Sequence, residues 1–177
     1  MFKIYTKRGD NGTASLLFSN KRFKKSSPIF DVLGTSDELN VSLGYLQSSR
    51  LQEIKNVCIK IQRELFILGS YFAGRALEDK KNDWDKRIKE LEEAIDYFDS
   101  KNEPLKSFIL PGGSKESNYL HTSRVICRRL ERLVVSYTKG KEPTILIVKY
   151  LNRLSDLLFV MARYSNKRLG YKDEIFE

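Results

Sequence analysis

Arg124, Arg128 and Arg132 recur at i, i+4 and i+8, with Arg129 and Glu131 between them. On a helix this spacing sets three guanidinium groups in one row. Like charges so close cost helix stability unless something anionic lies opposite. Acidic side chains of other helices would serve, and so would a polyphosphate, whose oxygens match the guanidinium fork. A solvated basic face is the plainest alternative. A second polar cluster is Thr6–Lys7–Arg8–Gly9–Asp10–Asn11–Gly12–Thr13. Two glycines around Asp-Asn make either a simple turn or a loop whose backbone N–H groups close on phosphate. It is not a Walker A loop: GxxxxGK[ST] occurs nowhere, and Gly112–Gly113–Ser114–Lys115 lacks the spacing. In a third cluster, Asn152, Asp156, Phe159 and Arg163 follow one row, beside the apolar row Leu151, Leu154, Leu158 and Met161. Asp156 there suits orienting an arginine better than acting as a base.

The elements that must carry these residues are helices. Residues 1–27 lack sustained periodicity and read as a loop or arm. Thr35 and Glu38 have capping-box spacing, and Leu39, Leu43 and Leu46 continue a first helix to about residue 49. Ile54, Val57/Cys58, Ile61, Leu65, Leu68 and Phe72 mark a second over about 51–77, whose Gly69 and Gly74 suggest close packing against a neighbour. After a polar loop at 78–83, Asn82 or Asp83 suits the cap of a third, which carries Trp84, Ile88, Leu91, Ile95 and Phe98 to about residue 99. Ser114 suits the cap of a fourth, which holds the arginine row, has Ile126, Leu130, Leu133 and Tyr137 as its core row, and ends near Lys139–Gly140. Pro143 suits the first turn of a fifth, to about residue 168. No credible set of strands is visible. The expectation is an all-α, five-helix bundle with an irregular N-terminal arm: one domain over 1–177, with the arm at 1–27 and the bundle at 28–170.

Composition narrows the function classes. The chain has 177 residues, 32 Lys and Arg against 23 Asp and Glu, and a net charge of +9. That charge suggests an anionic partner without telling nucleic acid from nucleotide. No apolar run of about 18 residues exists, and the N-terminus has no signal-peptide core, so a cytoplasmic protein with no membrane contact is expected. Cys58 and Cys127 lie in apolar helical patterns and read as core fillers. The single histidine, His121, has no Glu three residues earlier, so no di-iron motif exists, and it shares no helix face with Cys127.

YTKRGDNGTASLL, DVLGTSDELN, FILPGG, RVICRRLER and YLNRLSDLLFVMARY stand in this order over residues 5–164. Together they closely resemble the PduO-type ATP:cob(I)alamin adenosyltransferases. The resemblance implies a five-helix bundle assembled as a homotrimer, with active sites between subunits. It implies transfer of the 5′-deoxyadenosyl group of ATP to the cobalt of cob(I)alamin, giving adenosylcobalamin and triphosphate. The reduced cobalt is the nucleophile, so no catalytic triad is needed. By matching position, Thr6, Lys7, Gly9, Asp10 and Gly12, with Lys25, resemble the family's ATP phosphate loop, and Arg124, Arg128 and Asn152 its ATP contacts. ATP, with Mg2+, and cobalamin are the implied small molecules. Asp37 matches an aspartate that pairs with the Arg124 equivalent across the subunit interface. Phe108 matches the aromatic that closes the corrin's lower face, keeps its axial base away and so favours an easily reduced, four-coordinate cobalt. Glu131, Arg132 and Asp156 are expected to hold the arginines in place. Two other readings stay open: a basic module binding nucleic acid or another polyanion, and a non-catalytic relative that senses ATP or escorts cobalamin. Against the first, Asn152, Asp156 and Glu131 interleave the cations.

Overall fold

The computed structural model describes residues 3–74, 81–139 and 144–176. Five helices carry the fold: α1 (Pro28–Gly44), α2 (Gln52–Phe72), α3 (Lys81–Asp99), α4 (Lys115–Thr138) and α5 (Thr144–Arg168), with a 3-10 turn at Tyr45–Ser48 after α1. The expected all-α bundle is the fold found. α5 lies at its centre, against α4 on one side and α3 on another, while α1 packs on both α4 and α2. Its Tyr150, Leu151, Leu154, Leu157, Leu158, Met161 and Ala162 are all fully buried.

Several boundaries differ from the sequence reading. α1 starts at Pro28, so Thr35 is a buried helix-interior residue and not a cap. Proline at N1 lacks the N–H that a first turn would leave unpaired, and Ile29 and Val32 already bury the first turn. α2 stops at Phe72, and Gly74 closes it with φ +99°. A side chain at Gly74 would meet the Phe18 carbonyl oxygen at 3.3 Å, so the expected close packing occurs there, whereas Gly69 has open space around it. α3 begins at Lys81, leaving Asn82 and Asp83 inside it. Ser114 caps α4 as expected, its Oγ accepting from the Ser117 N–H at 3.1 Å. α4 ends at Lys139 in the left-handed region, while Pro143 and Gly140 lie outside the described residues. The core row of α4 is Leu120, Cys127, Leu130 and Val134; Ile126 and Leu133 are half-buried and Tyr137 is exposed.

Short strands were not expected, yet two small antiparallel pairs exist. β1 (Thr13–Ser15) pairs with β2 (Arg22–Lys24) inside the arm. β3 (Ile109–Leu110) pairs with β4 (Glu174–Ile175), Ile109 opposite Ile175. Strands of two or three residues carry too little alternation to be seen in a sequence.

Candidate functional site

The arm is a built loop. Lys7 and Gly12 have φ of 56° and 74°. Asn11 Oδ1 accepts from the Thr13 N–H and hydroxyl at 3.2 and 2.7 Å. Arg22 donates from Nε to Thr13 Oγ1 at 2.9 Å and from its amino groups to the Arg8 and Thr13 carbonyl oxygens, tying the loop to β2. Lys25 donates its backbone N–H to the Gly12 carbonyl at 2.9 Å. A Cβ at Gly9 would sit 3.1 Å from the Lys25 ammonium. The two glycines therefore serve different needs: Gly12 takes a left-handed angle, and Gly9 admits a cation against the backbone. Thr6, Lys7 and Asp10 are exposed beside them; Thr6 Oγ1 accepts from the Arg8 N–H at 3.5 Å, and the Asp10 N–H donates to the Lys7 carbonyl at 3.4 Å. Asn11 was legible as part of the Gly-Asp-Asn-Gly turn, but Arg22 did not stand out in the sequence, since one basic residue among many carries no mark.

On α4 the arginines part company. Arg124 is half-buried; its Nε is buried with no hydrogen-bond partner, and burial, then the neighbouring Arg128 charge, disfavours its cation. Arg128 is exposed and lines a cleft of about 350 Å3 with Glu131, Arg132, Val135 and Ser136. Arg132 turns back and donates to the Arg128 carbonyl at 3.2 Å. Arg129 is paired across the helix interface with Glu38 of α1. Glu131 accepts from Asn152 Nδ2 at 3.2 Å, so it holds the asparagine and not an arginine. The Asn152 oxygen accepts from Arg153 Nη1 at 2.9 Å, and Arg153 is paired with Glu92 at 3.0 Å. Asn152 thus links α4, α5 and α3, and one of its two amide hydrogens has no partner among the described residues. Asp156 is exposed and makes no ion pair among the described residues.

His121, buried beneath this face against the Phe159 ring, is pushed down to about 4, first by burial and then by the Arg124 charge, with Asp173 opposing. Cys58 and Cys127 are buried free thiols, as expected; burial raises Cys58 to about 12 and Cys127 further, so neither is a nucleophile.

Neither hairpin strand touches α4; the arm docks instead on the end of α2, where Phe18 N–H donates to the Ala73 carbonyl at 3.1 Å. Asp37 is exposed, makes no bond to Arg124, and lines a cleft of about 220 Å3 with Leu17, Phe66 and Gly69. The Phe108 side chain is 85 % exposed. A larger cleft of about 570 Å3, lined by Arg163 but by none of the α4 arginines, lies between loop 102–107 and the C-terminal tail. Among the described residues no helix is long and apolar enough to cross a membrane.

Residues 4–165 match the family described as Cobalamin adenosyltransferase. The chain is 38 % identical to a corrinoid adenosyltransferase of Mus musculus over 99 % of this chain and 77 % of that protein. It is 37 % identical to a corrinoid adenosyltransferase of Bacillus subtilis over 99 % and 92 %. Among solved structures, a phenylalanine-to-alanine variant of a PduO-type ATP:corrinoid adenosyltransferase from Lactobacillus reuteri, complexed with cobalamin and ATP, superposes with a TM-score of 0.88 at 33 % identity, covering 99 % of each chain.

Proposed function

The chain belongs to the cobalamin adenosyltransferase family, and from that premise we propose that it transfers the 5′-deoxyadenosyl group of ATP to the cobalt of cob(I)alamin. The cobalt lone pair forms the Co–C5′ bond, the C5′–O bond breaks, and triphosphate leaves with the electron pair. The protein's task is then to bend ATP and to neutralise the departing charge. The observation that carries this reading is Arg124: a guanidinium nitrogen buried without a partner among the described residues, next to the exposed Arg128. A buried unpaired cationic donor is costly unless an anion meets it in the working state.

In this reading Thr6, Lys7, Gly9, Asp10, Gly12 and Lys25 hold the phosphates from one side. Arg124, Arg128 and the free Asn152 hydrogen meet ATP from the other. Strands β1 and β2 do not contact α4 of their own chain, which supports a reading in which the two halves come from different copies, in a homotrimer with sites between subunits. Asp37 is the anion offered to Arg124 of the neighbour. Exposed Val41, Tyr45, Phe66 and Val125 supply apolar surface for such contacts. Among the described residues no cluster of three or more His, Cys, Asp or Glu could hold a metal alone. Mg2+ therefore fits as a triphosphate counter-ion, with Asp10 the loop's own carboxylate. Phe108, exposed on its chain, stands against the lower face of the corrin. Residues 1–177 work as one unit, arm and bundle, in the cytoplasm, where a reducing environment suits two free thiols.

The test is anaerobic incubation with ATP, Mg2+ and chemically reduced cobalamin. The cob(I)alamin absorption is expected to give way to that of adenosylcobalamin; no conversion would overturn the reading. Sedimentation is expected to show a trimer, and a stable, active monomer would overturn the shared site.

A further inference from the structure

Phe108 immediately precedes the short strand β3 and stands outside the core. Its side chain is 85 % exposed, Leu110 is 49 % exposed, and Ile175 of the partner strand is 59 % exposed. Behind the strand pair lies the 570 Å3 cleft, lined by Ile109, Ile175, Leu105, Arg163 and Asp173. Hydrophobic packing therefore cannot set where Phe108 stands.

Hydrogen bonds do. The Phe176 N–H donates to the Phe108 carbonyl at 2.8 Å, fastening the C-terminal tail to the strand. Both ends of this pair lead to Asn166, which is 3 % exposed on the last turns of α5. Its Oδ1 accepts from the Ser114 N–H at 2.8 Å, and its Nδ2 donates to the Gly112 carbonyl at 3.0 Å, pinning the turn just after β3. The same Nδ2 donates to Asp173 Oδ1 at 3.2 Å, just before β4, and the Asn166 carbonyl accepts from the Tyr171 N–H at 2.9 Å. The other Asp173 oxygen accepts from buried Arg163 Nε at 2.8 Å, whose Nη2 donates to the Glu103 carbonyl at 2.8 Å. Gly113 is part of the fit: with φ +99°, a Cβ there would lie 2.4 Å from Asn166 Oδ1. An asparagine offers one acceptor and two donors on one rigid plane, which the turn, the tail and α4's first turn use together.

We infer that Asn166, with Asp173 and Arg163, is a positioning residue for corrinoid binding: it clasps the turn after β3 to the tail and thereby sets where Phe108 meets the corrin. The inference rests on the reading of Phe108 given above. Asn166 touches neither substrate; it acts through the strand.

Asn166→Asp keeps an acceptor for Ser114 N–H, loses the two donations, and sets a second carboxylate beside Asp173. The KM for cob(I)alamin is expected to rise about tenfold, the size that small misplacements of a binding group produce. The four-coordinate fraction of bound cob(II)alamin should fall, while the KM for ATP and the helical circular dichroism stay near wild type. Asp173→Asn keeps one acceptor of two, and is expected to give the same pattern more weakly, so it carries the test if Asn166→Asp does not fold. In a Phe108→Ala background, Asn166→Asp should add nothing to the corrinoid defect. Equal losses toward ATP and corrinoid, or additive losses in the double variant, would overturn the clasp. If Phe108→Ala itself leaves the corrinoid KM and cobalt spectrum unchanged, the reading of Phe108 fails. If Phe108→Ala shifts both while Asn166→Asp and Asp173→Asn shift neither, only the clasp fails.

Discussion

Two groups of charged residues in this bundle are built on opposite terms. Glu64, 3 % exposed on α2, accepts from Tyr150 Oη of α5 at 2.7 Å and from Arg87 Nη1 of α3 at 2.9 Å. Burial, then the Glu64 charge, holds the Tyr150 phenol well above its ordinary range, so it stays a donor. The Arg87 guanidinium also lies over the Trp84 ring. In this network both carboxylate oxygens of Glu64 are hydrogen-bonded within one chain. On α4, Arg124 has a buried nitrogen with no partner and Arg128 stands open to a cleft. The difference separates two kinds of charge: the Glu64 network has its hydrogen bonds within the packing, whereas a buried guanidinium nitrogen without a partner calls for an explanation, which the proposed function supplies as a ligand or a second subunit.

The comparison can be broken in four ways, of decreasing size. Glu64→Ala strands Arg87 and Tyr150 and should cost about 3–5 kcal/mol of stability, read by denaturant unfolding, with adenosyl transfer per folded molecule unchanged. A loss of transfer at full stability would erase the distinction. Arg128→Lys reverses the pattern: it should leave unfolding unchanged and weaken ATP binding or transfer by about 1.5–3 kcal/mol, because an ammonium lacks the planar fork. Calorimetric ATP titration and single-turnover spectra check it.

His121 sharpens the boundary between the regions. Its folded value near 4 lies below the ordinary 6.5, so the unfolded chain binds a proton more readily between those values. Stability should thus fall as pH drops from about 6.5 to about 4, by about 2 kcal/mol after partial solvent access is allowed for. His121→Gln should flatten that slope in unfolding curves measured across the range. Gly12→Val is the smallest. Nothing lies within 4 Å of the missing Cβ, so only the left-handed angle is penalised, by about 1–2 kcal/mol in the loop. ATP affinity should fall by that amount while helical dichroism holds; unchanged affinity would make the loop a turn and nothing more.

Much of the fold was legible because helical periodicity repeats over many residues. The rows on α2 and α5 and the Ser114 cap were visible for that reason. The α1 boundary was misplaced because Thr35–Glu38 matches a capping box locally, and only burial of Ile29 and Val32 shows the helix already running. Glu131 and Asn152 were visible as polar residues beside core rows, but not as partners of each other: adjacency across helices depends on how α4 and α5 cross.

By itself the sequence determined the helices, the basic row, the two glycines of the arm and the family, since each is written in local spacing or in motifs that keep their order. Only the tertiary structure decided which cations are already spent. Arg129 meets Glu38, Arg163 meets Asp173, and Arg153 meets Glu92, while Arg124 Nε has no hydrogen-bond partner among the described residues. Pairing is a property of side chains far apart in sequence, over separations of 91, 10 and 61 residues. A guanidinium's availability is set by what the packing brings within reach of its nitrogens, and no local pattern of residues encodes that distance.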